Sequence, residues 1–224
     1  MTEKTSKYTK LTPIEHVFKR PDMYIGSIEK EYKDMYLFKD TSFVKDQIEY
    51  IDGFMRIHME IIYNAIDNIS RSREKNLHCD TIKIDINKEM TTMSISNNGL
   101  SIPIEMNKDN NEYVPELIFG NLMAGSNFND NDDRYTTGRN GLGAKLTNIF
   151  SKQFDVEIID PKNELYYKQI WYNNMLEKKK PVIKKSKIKT GLVKITWTPD
   201  FEYFKLENTY TVDQIRLIEK ISHD

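Results

Sequence analysis

Two hydrophobic periods alternate along this chain, one helical and one of strands. Between Phe54 and Ser70 the apolar residues Ile57, Ile61, Ile62, Ala65, Ile66 and Ile69 recur at helical spacing and form a broad stripe that faces a core. Shorter segments follow the two-residue period of half-buried strands. They are Thr81 to Asn87, the stretch around Met93 and Ile95, Phe154 to Ile159, Glu164 to Trp171 and Leu192 to Trp197. A short helix begins at Thr12-Pro13-Ile14-Glu15, where Thr12 and Glu15 form a capping box and Pro13 occupies the first turn. A last helix begins at Thr211, boxed by Gln214, with Val212, Ile215, Ile218 and Ile221 as its apolar stripe. Tyr32 to Asp52 follows neither period. The order predicts helices layered on one face of a mixed sheet.

The helix near residue 60 has an unusual second face. Glu60, Asn64, Asp67 and Asn68 stand at spacings of three and four and share one side. A solvated side normally carries Lys, Arg and Glu, whereas Asn and Asp are poor helix formers. The second strand of the first pair ends in a turn signal, Asn97-Asn98-Gly99. From Glu105 to Asp133 the chain is rich in Asn and Asp, broken by the apolar run YVPELIFGNLMAG; a stretch of this kind suits a lid or binding loop. It leads to TTGRNGLGAKLTNIF at 136–150, where Gly138, Gly141 and Gly143 lie between Arg139 and Lys145 and an apolar helical run follows. Glycines let backbone amides approach a phosphate group, and a helix start offers unpaired N–H groups. The loop lacks the Gly-Lys-Ser/Thr of a Walker loop and has Leu146 where a dinucleotide fingerprint needs glycine. Taken alone it also fits a surface turn leading into a helix.

Composition narrows the classes. Lys+Arg 33 against Asp+Glu 34 gives a net charge of -1, so the chain as a whole is no strong polyanion binder. Its positive charge is local, with seven lysines between Lys178 and Lys189; they read either as a hairpin kept soluble by charge or as a polyanion contact, DNA first. One cysteine, Cys79, excludes an internal disulfide, and four scattered histidines give no zinc spacing. No apolar run is long enough to span a membrane, and no secretory signal core opens the chain.

Five segments together resemble the ATPase region of type IIA DNA topoisomerases, in the GHKL superfamily with the gyrase B subunit and histidine kinases. They are EHVFKRPDMYIGSIE from Glu15, EIIYNAIDN from Glu60, NNGLSIPIE from Asn97, YVPELIFGNLMAGSNF from Tyr113 and TGRNGLGAKLTNIFS from Thr137. Their wording is closest to the eukaryotic and large-virus branch. The resemblance implies an α+β two-layer sandwich, the Bergerat ATP-binding fold, over residues 13–224, with residues 1–12 as a strap. It implies binding and hydrolysis of Mg-ATP to drive homodimer closure and DNA duplex passage, inside a cell. The compartment would be the nucleus for a cellular eukaryote, or the host cytoplasm or virion for a large virus. By the same resemblance Glu60 is the general base and Asn64 the Mg²⁺ ligand. Asn68 joins the site, Asn97 meets adenine with Thr196 supporting that end of the pocket, and Ser126 and Asn127 touch ribose and phosphates. Gly138, Arg139, Asn140, Gly141, Leu142, Gly143, Ala144 and Lys145 wrap the triphosphate, and Tyr8 reaches over the partner's nucleotide. Ser101 replaces a family glycine that would take a left-handed backbone, and Thr137 replaces another. The chain stops where the first domain of the family ends, before the transducer lysine and the cleavage tyrosine, so weak turnover is expected of it alone. Two other readings remain: a nucleotide-gated dimerisation module without catalysis, and a different superfamily member such as a histidine kinase.

Overall fold

The computed structural model of the chain describes residues 10–122 and 141–223. α1 (Pro13–Lys19) starts as its capping box predicts: the Glu15 N–H donates to Thr12 Oγ1 at 3.2 Å and the Thr12 N–H donates to Glu15 Oε2 at 2.7 Å. After a 3-10 turn at Pro21–Met23, the segment without a period forms an antiparallel hairpin, β1 (Glu31–Lys39) and β2 (Ser42–Tyr50). Its pattern was hidden because only Leu37 and Ile48 are fully buried in it. Cross-strand ion pairs, Lys45–Asp34 at 2.9 Å and Lys39–Asp46 at 2.7 Å, occupy positions where alternation would have shown.

α2 (Asp52–Glu74) is longer than its apolar stripe suggested. β3 (Ile82–Ile86) and β4 (Met93–Asn98) follow, then the minimal pair β5 (Met106–Asn107) and β6 (Glu112–Tyr113) and the short α3 (Val114–Gly120). Beyond the undescribed stretch come α4 (Gly143–Ile149), β7 (Ser151–Asp160), β8 (Leu165–Tyr172), β9 (Glu177–Lys178), β10 (Val182–Lys185), β11 (Leu192–Pro199) and α5 (Val212–His223).

The main sheet runs β10-β8-β7-β11-β4-β3, with β9 on β8, and every pairing between its described strands is antiparallel. Register stacks its inner face in three rows. Ile86, Met93, Trp197, Phe154 and Trp171 make one; Ile84, Ile95, Ile195, Val156 and Gln169 the next; Ile82, Asn97, Val193, Ile158 and Tyr167 the last. Ile57, Ile61 and Ala65 of α2 and Leu146 and Ile149 of α4 belong to the same buried core, so helices cover this face. The reverse face is polar, carrying Ser94, Ser96, Lys194 and Thr196. Two buried bonds lock the helical layer. Thr147 Oγ1 donates to the Ile57 carbonyl at 2.7 Å, and Asn148 Nδ2 donates to the Phe119 carbonyl at 3.0 Å, tying α4 to α2 and α3. No helix among the described residues is long and apolar enough to cross a membrane.

Candidate nucleotide site

α2 presents its second polar face along one wall of a cavity of about 420 Å³, a size that suits a small ligand. Asn64, Asn68 and Arg71 line it from the helix, Ile95 and Asn97 from β4, Val193 and Ile195 from β11, and Gly141, Gly143, Ala144 and Lys145 from the glycine loop and α4. Ile102, Pro103, Val114 and Ile118 close another side. The floor is therefore apolar, with a few polar groups at chosen points. Asn97 is one: it is 6% exposed and occupies a row otherwise built of Ile, Val and Tyr. Its Nδ2 donates to the Asn98 carbonyl at 3.0 Å.

Glu60 stands at the edge of the cavity rather than in its lining. Arg56 Nε donates to Glu60 Oε1 at 2.6 Å, one helical turn back. The other oxygen, Oε2, lies against Gly143: a Cβ built there would meet Oε2 at 2.1 Å and the carboxyl carbon at 2.9 Å. A side chain at this position would displace the carboxylate. Asn64 lies one turn further along α2, and its side-chain amide has no hydrogen-bond partner among the described residues. Lys145, on α4, is fully buried, and burial pushes its ammonium down to about 8.

Asn68 acts differently from its neighbours. Its Nδ2 donates to the carbonyls of Leu100 at 3.1 Å and Asn98 at 3.4 Å, so the amide braces the turn after β4. Ser72, one turn on and fully buried, accepts from the Leu100 N–H at 2.8 Å. Gly99 adopts φ 103, and a Cβ on it would strike Ser72 Oγ at 2.5 Å. Ser101 does not share that conformation: it is not among the residues with positive φ, and its Oγ donates to the Ile159 carbonyl at 2.6 Å. Ser101 therefore carries no left-handed strain.

Thr196 requires a correction. It pairs with Ser94 and Asp155 on the reverse face of the sheet, because the two-residue period turns every second side chain of β11 away from the helices. Val193 and Ile195 hold the place expected of it. Leu142 is the N-cap of α4 and partly buried, and it is not in the cavity lining. Tyr8, Ser126, Asn127, Gly138, Arg139 and Asn140 lie outside the described residues. Sequence reasoning missed Arg71, whose Nη2 donates to the Asn64 carbonyl at 3.2 Å. It continues the spacing of Glu60, Asn64 and Asn68, so that spacing was the available signal. It also missed the apolar floor, since strand residues facing a ligand and residues facing a core share one alternation.

Residues 51–195 match the family described as Histidine kinase-, DNA gyrase B-, and HSP90-like ATPase. Among curated proteins, DNA topoisomerase 2 of Pisum sativum is 42% identical over 199 residues, covering 89% of this chain and 13% of that protein. DNA topoisomerase 2 of Meyerozyma guilliermondii is 42% identical, covering 91% and 14%. The chain thus spans about one seventh of the length of these relatives. The ATPase region of Saccharomyces cerevisiae topoisomerase II superposes with a TM-score of 0.90 at 35% identity, covering 96% of this chain and 56% of that one. The ATPase and transducer domains of the Balamuthia mandrillaris enzyme give 0.89 at 34%, covering 98% and 56%. The ATPase domain of Thermus thermophilus gyrase B shares the fold, with a TM-score of 0.61 at 19% identity. By sequence and by fold, the chain belongs to the histidine kinase-, DNA gyrase B- and HSP90-like ATPases, and within them to the ATPase region of type II DNA topoisomerases.

Proposed function

We propose that the cavity binds ATP and hydrolyses it, and that in the longer protein this drives closure of two protomers and passage of a DNA duplex within the cell. The observation that carries this reading is the placement of Glu60 between Arg56 and Gly143. Arg56 occupies Oε1 and leaves Oε2 turned toward the glycine loop. A carboxylate held so is set to take a proton from a water attacking the terminal phosphorus. The bond from that phosphorus to the bridging oxygen then breaks, leaving ADP and phosphate. Asn97 offers the base its amide at the end of an apolar floor, while Lys145 and the amides of the glycine loop face the developing negative charge.

The residues also fit a magnesium ion. Asn64 supplies one hard oxygen without a competing partner among the described residues, and Mg²⁺ takes few protein ligands beside phosphates and water. When bound, the ion would neutralise charge on the phosphates. By resemblance, Ser126, Asn127, Gly138, Arg139 and Asn140 complete the cover, and Tyr8 belongs to the strap over a partner's nucleotide.

The test is single-turnover phosphate release by wild type and Glu60→Gln. The variant should lose about 10²- to 10⁴-fold in rate while keeping its affinity for a non-hydrolysable ATP analogue. Unchanged release would remove Glu60 from the chemistry. Dimerisation on ATP with no phosphate produced by wild type would favour the gating module without catalysis.

A further inference from the structure

The far edge of the sheet carries the densest positive charge of the chain, in β9, β10 and their flanks. Of its seven lysines three are engaged. Lys178 pairs with Glu112 at 2.9 Å and Glu116 at 2.7 Å, Lys189 pairs with Glu164 at 2.7 Å, and Lys179 lies over the Tyr172 ring at 5.2 Å. The side chains of Lys180, Lys184, Lys185 and Lys187 are exposed and make no ion pair or hydrogen bond with any described residue. Elsewhere Lys30, Lys33, Lys39, Lys45, Lys152 and Lys205 each meet a carboxylate, while unpaired lysines such as Lys75, Lys88 and Lys108 stand well apart in the chain and form no run. At this edge Glu112, Glu116 and Glu164 are spent on the flanking lysines, and Glu177 of β9, which accepts from Asn173 Nδ2, is one carboxylate against four lysines, so the charge left over is positive.

The backbone beneath these lysines is fixed. The Lys179 N–H donates to the Ile170 carbonyl at 2.9 Å, Gln169 Nε2 donates to the Lys179 carbonyl at 3.0 Å, and the Ser186 N–H donates to the Glu164 carbonyl at 2.8 Å. Lysines on the strand itself, here Lys184 and Lys185, serve to keep an edge from pairing with another chain. Four free ones, spread over about 20 Å of extended chain, exceed that need. They do not converge on one point, as cations around a single phosphate would. A line of separated cations suits a regular polyanion.

We propose that β10 and its flanks contact the sugar-phosphate backbone of duplex DNA without sequence preference. Choosing DNA over other polyanions rests on the function proposed above; the charge geometry does not depend on it. The experiment is fluorescence anisotropy of a mixed-sequence 20-base-pair duplex between about 50 and 200 mM salt. It uses wild type, a variant carrying Lys180→Gln, Lys184→Gln, Lys185→Gln and Lys187→Gln, and the matching four-arginine variant. The glutamine variant should bind at least tenfold more weakly at low salt. Its slope of log affinity against log salt should be shallower by about 0.9 for each phosphate that the replaced lysines neutralise. The arginine variant should bind as wild type. Equal affinity and slope for the glutamine variant would overturn the proposal. So would wild type that binds phosphatidylserine vesicles but not the duplex. Titration of each protein with an ATP analogue separates the two ideas: intact nucleotide binding without DNA binding refutes only the surface, and absent nucleotide binding refutes only the ATPase reading.

Discussion

Lys145 shows how one residue couples the pocket to pH. Burial holds its ammonium at about 8, within reach of neutral pH. A polyphosphate beside it would favour the charged form, so binding should take up a proton as pH rises past 8, and affinity should fall by up to tenfold per unit above that. Calorimetry in buffers of different ionisation enthalpy measures the uptake; none at pH 8.5 would mean that Lys145 does not meet the phosphates. Gly143 is the steric counterpart. Gly143→Ala would push a methyl into Glu60 Oε2, so hydrolysis should drop about as far as in Glu60→Gln, read by the same phosphate assay. His58 titrates in the opposite setting, wholly inside the core. Its Nδ1–H donates to the Phe54 carbonyl at 2.6 Å and its Nε2 accepts from the Tyr210 hydroxyl at 2.8 Å, while desolvation lowers its pKa to about 4. The unfolded chain binds that proton near pH 6.5 and the folded one does not. Stability should therefore fall by about 3 kcal/mol as pH drops from 6.5 to 4 and level out below. NMR should find the imidazole still neutral at pH 5; titration near 6.5 would contradict the burial.

At the scale of elements, α2 joins the two ends of the site. It holds Glu60 against Gly143 and puts Asn64 in the cavity wall, and through Asn68 and Ser72 it braces the turn that follows Asn97. Ser72→Ala leaves the Leu100 N–H without its acceptor, which costs about 1 kcal/mol and loosens the base end. Discrimination between ATP and GTP analogues should shrink while tripolyphosphate affinity holds. A parallel loss of both would make Ser72 a general support instead. This element was the most legible in the sequence, because Asn and Asp on a helix face conflict with propensity and so point to a purpose. The strands were legible as strands, but the side of the sheet each residue faces depends on register, and for that reason Thr196 was expected in a pocket that Val193 and Ile195 line. The hairpin β1–β2 was illegible because ion pairs, not alternating apolar residues, mark its surface. Ser72 gave no signal at all: its bond is to a backbone N–H that only the fold brings near.

For the molecule as a whole, one covered sheet face and one polar face place the cavity between the helical layer and β4–β11, with the lysine-rich edge at the far end of the sheet. The proposed nucleotide site and the proposed polyanion contact are then separate surfaces of one frame, and each is expected to be removable without the other. The claim on which the rest depends is that the cavity takes ATP. Isothermal titration of this chain with a non-hydrolysable ATP analogue, with and without Mg²⁺, tests it most directly. One site per chain is expected, weaker without the metal and weaker again in Asn64→Ala. A folded chain that gives no binding at millimolar analogue, with Mg²⁺ present, would contradict it.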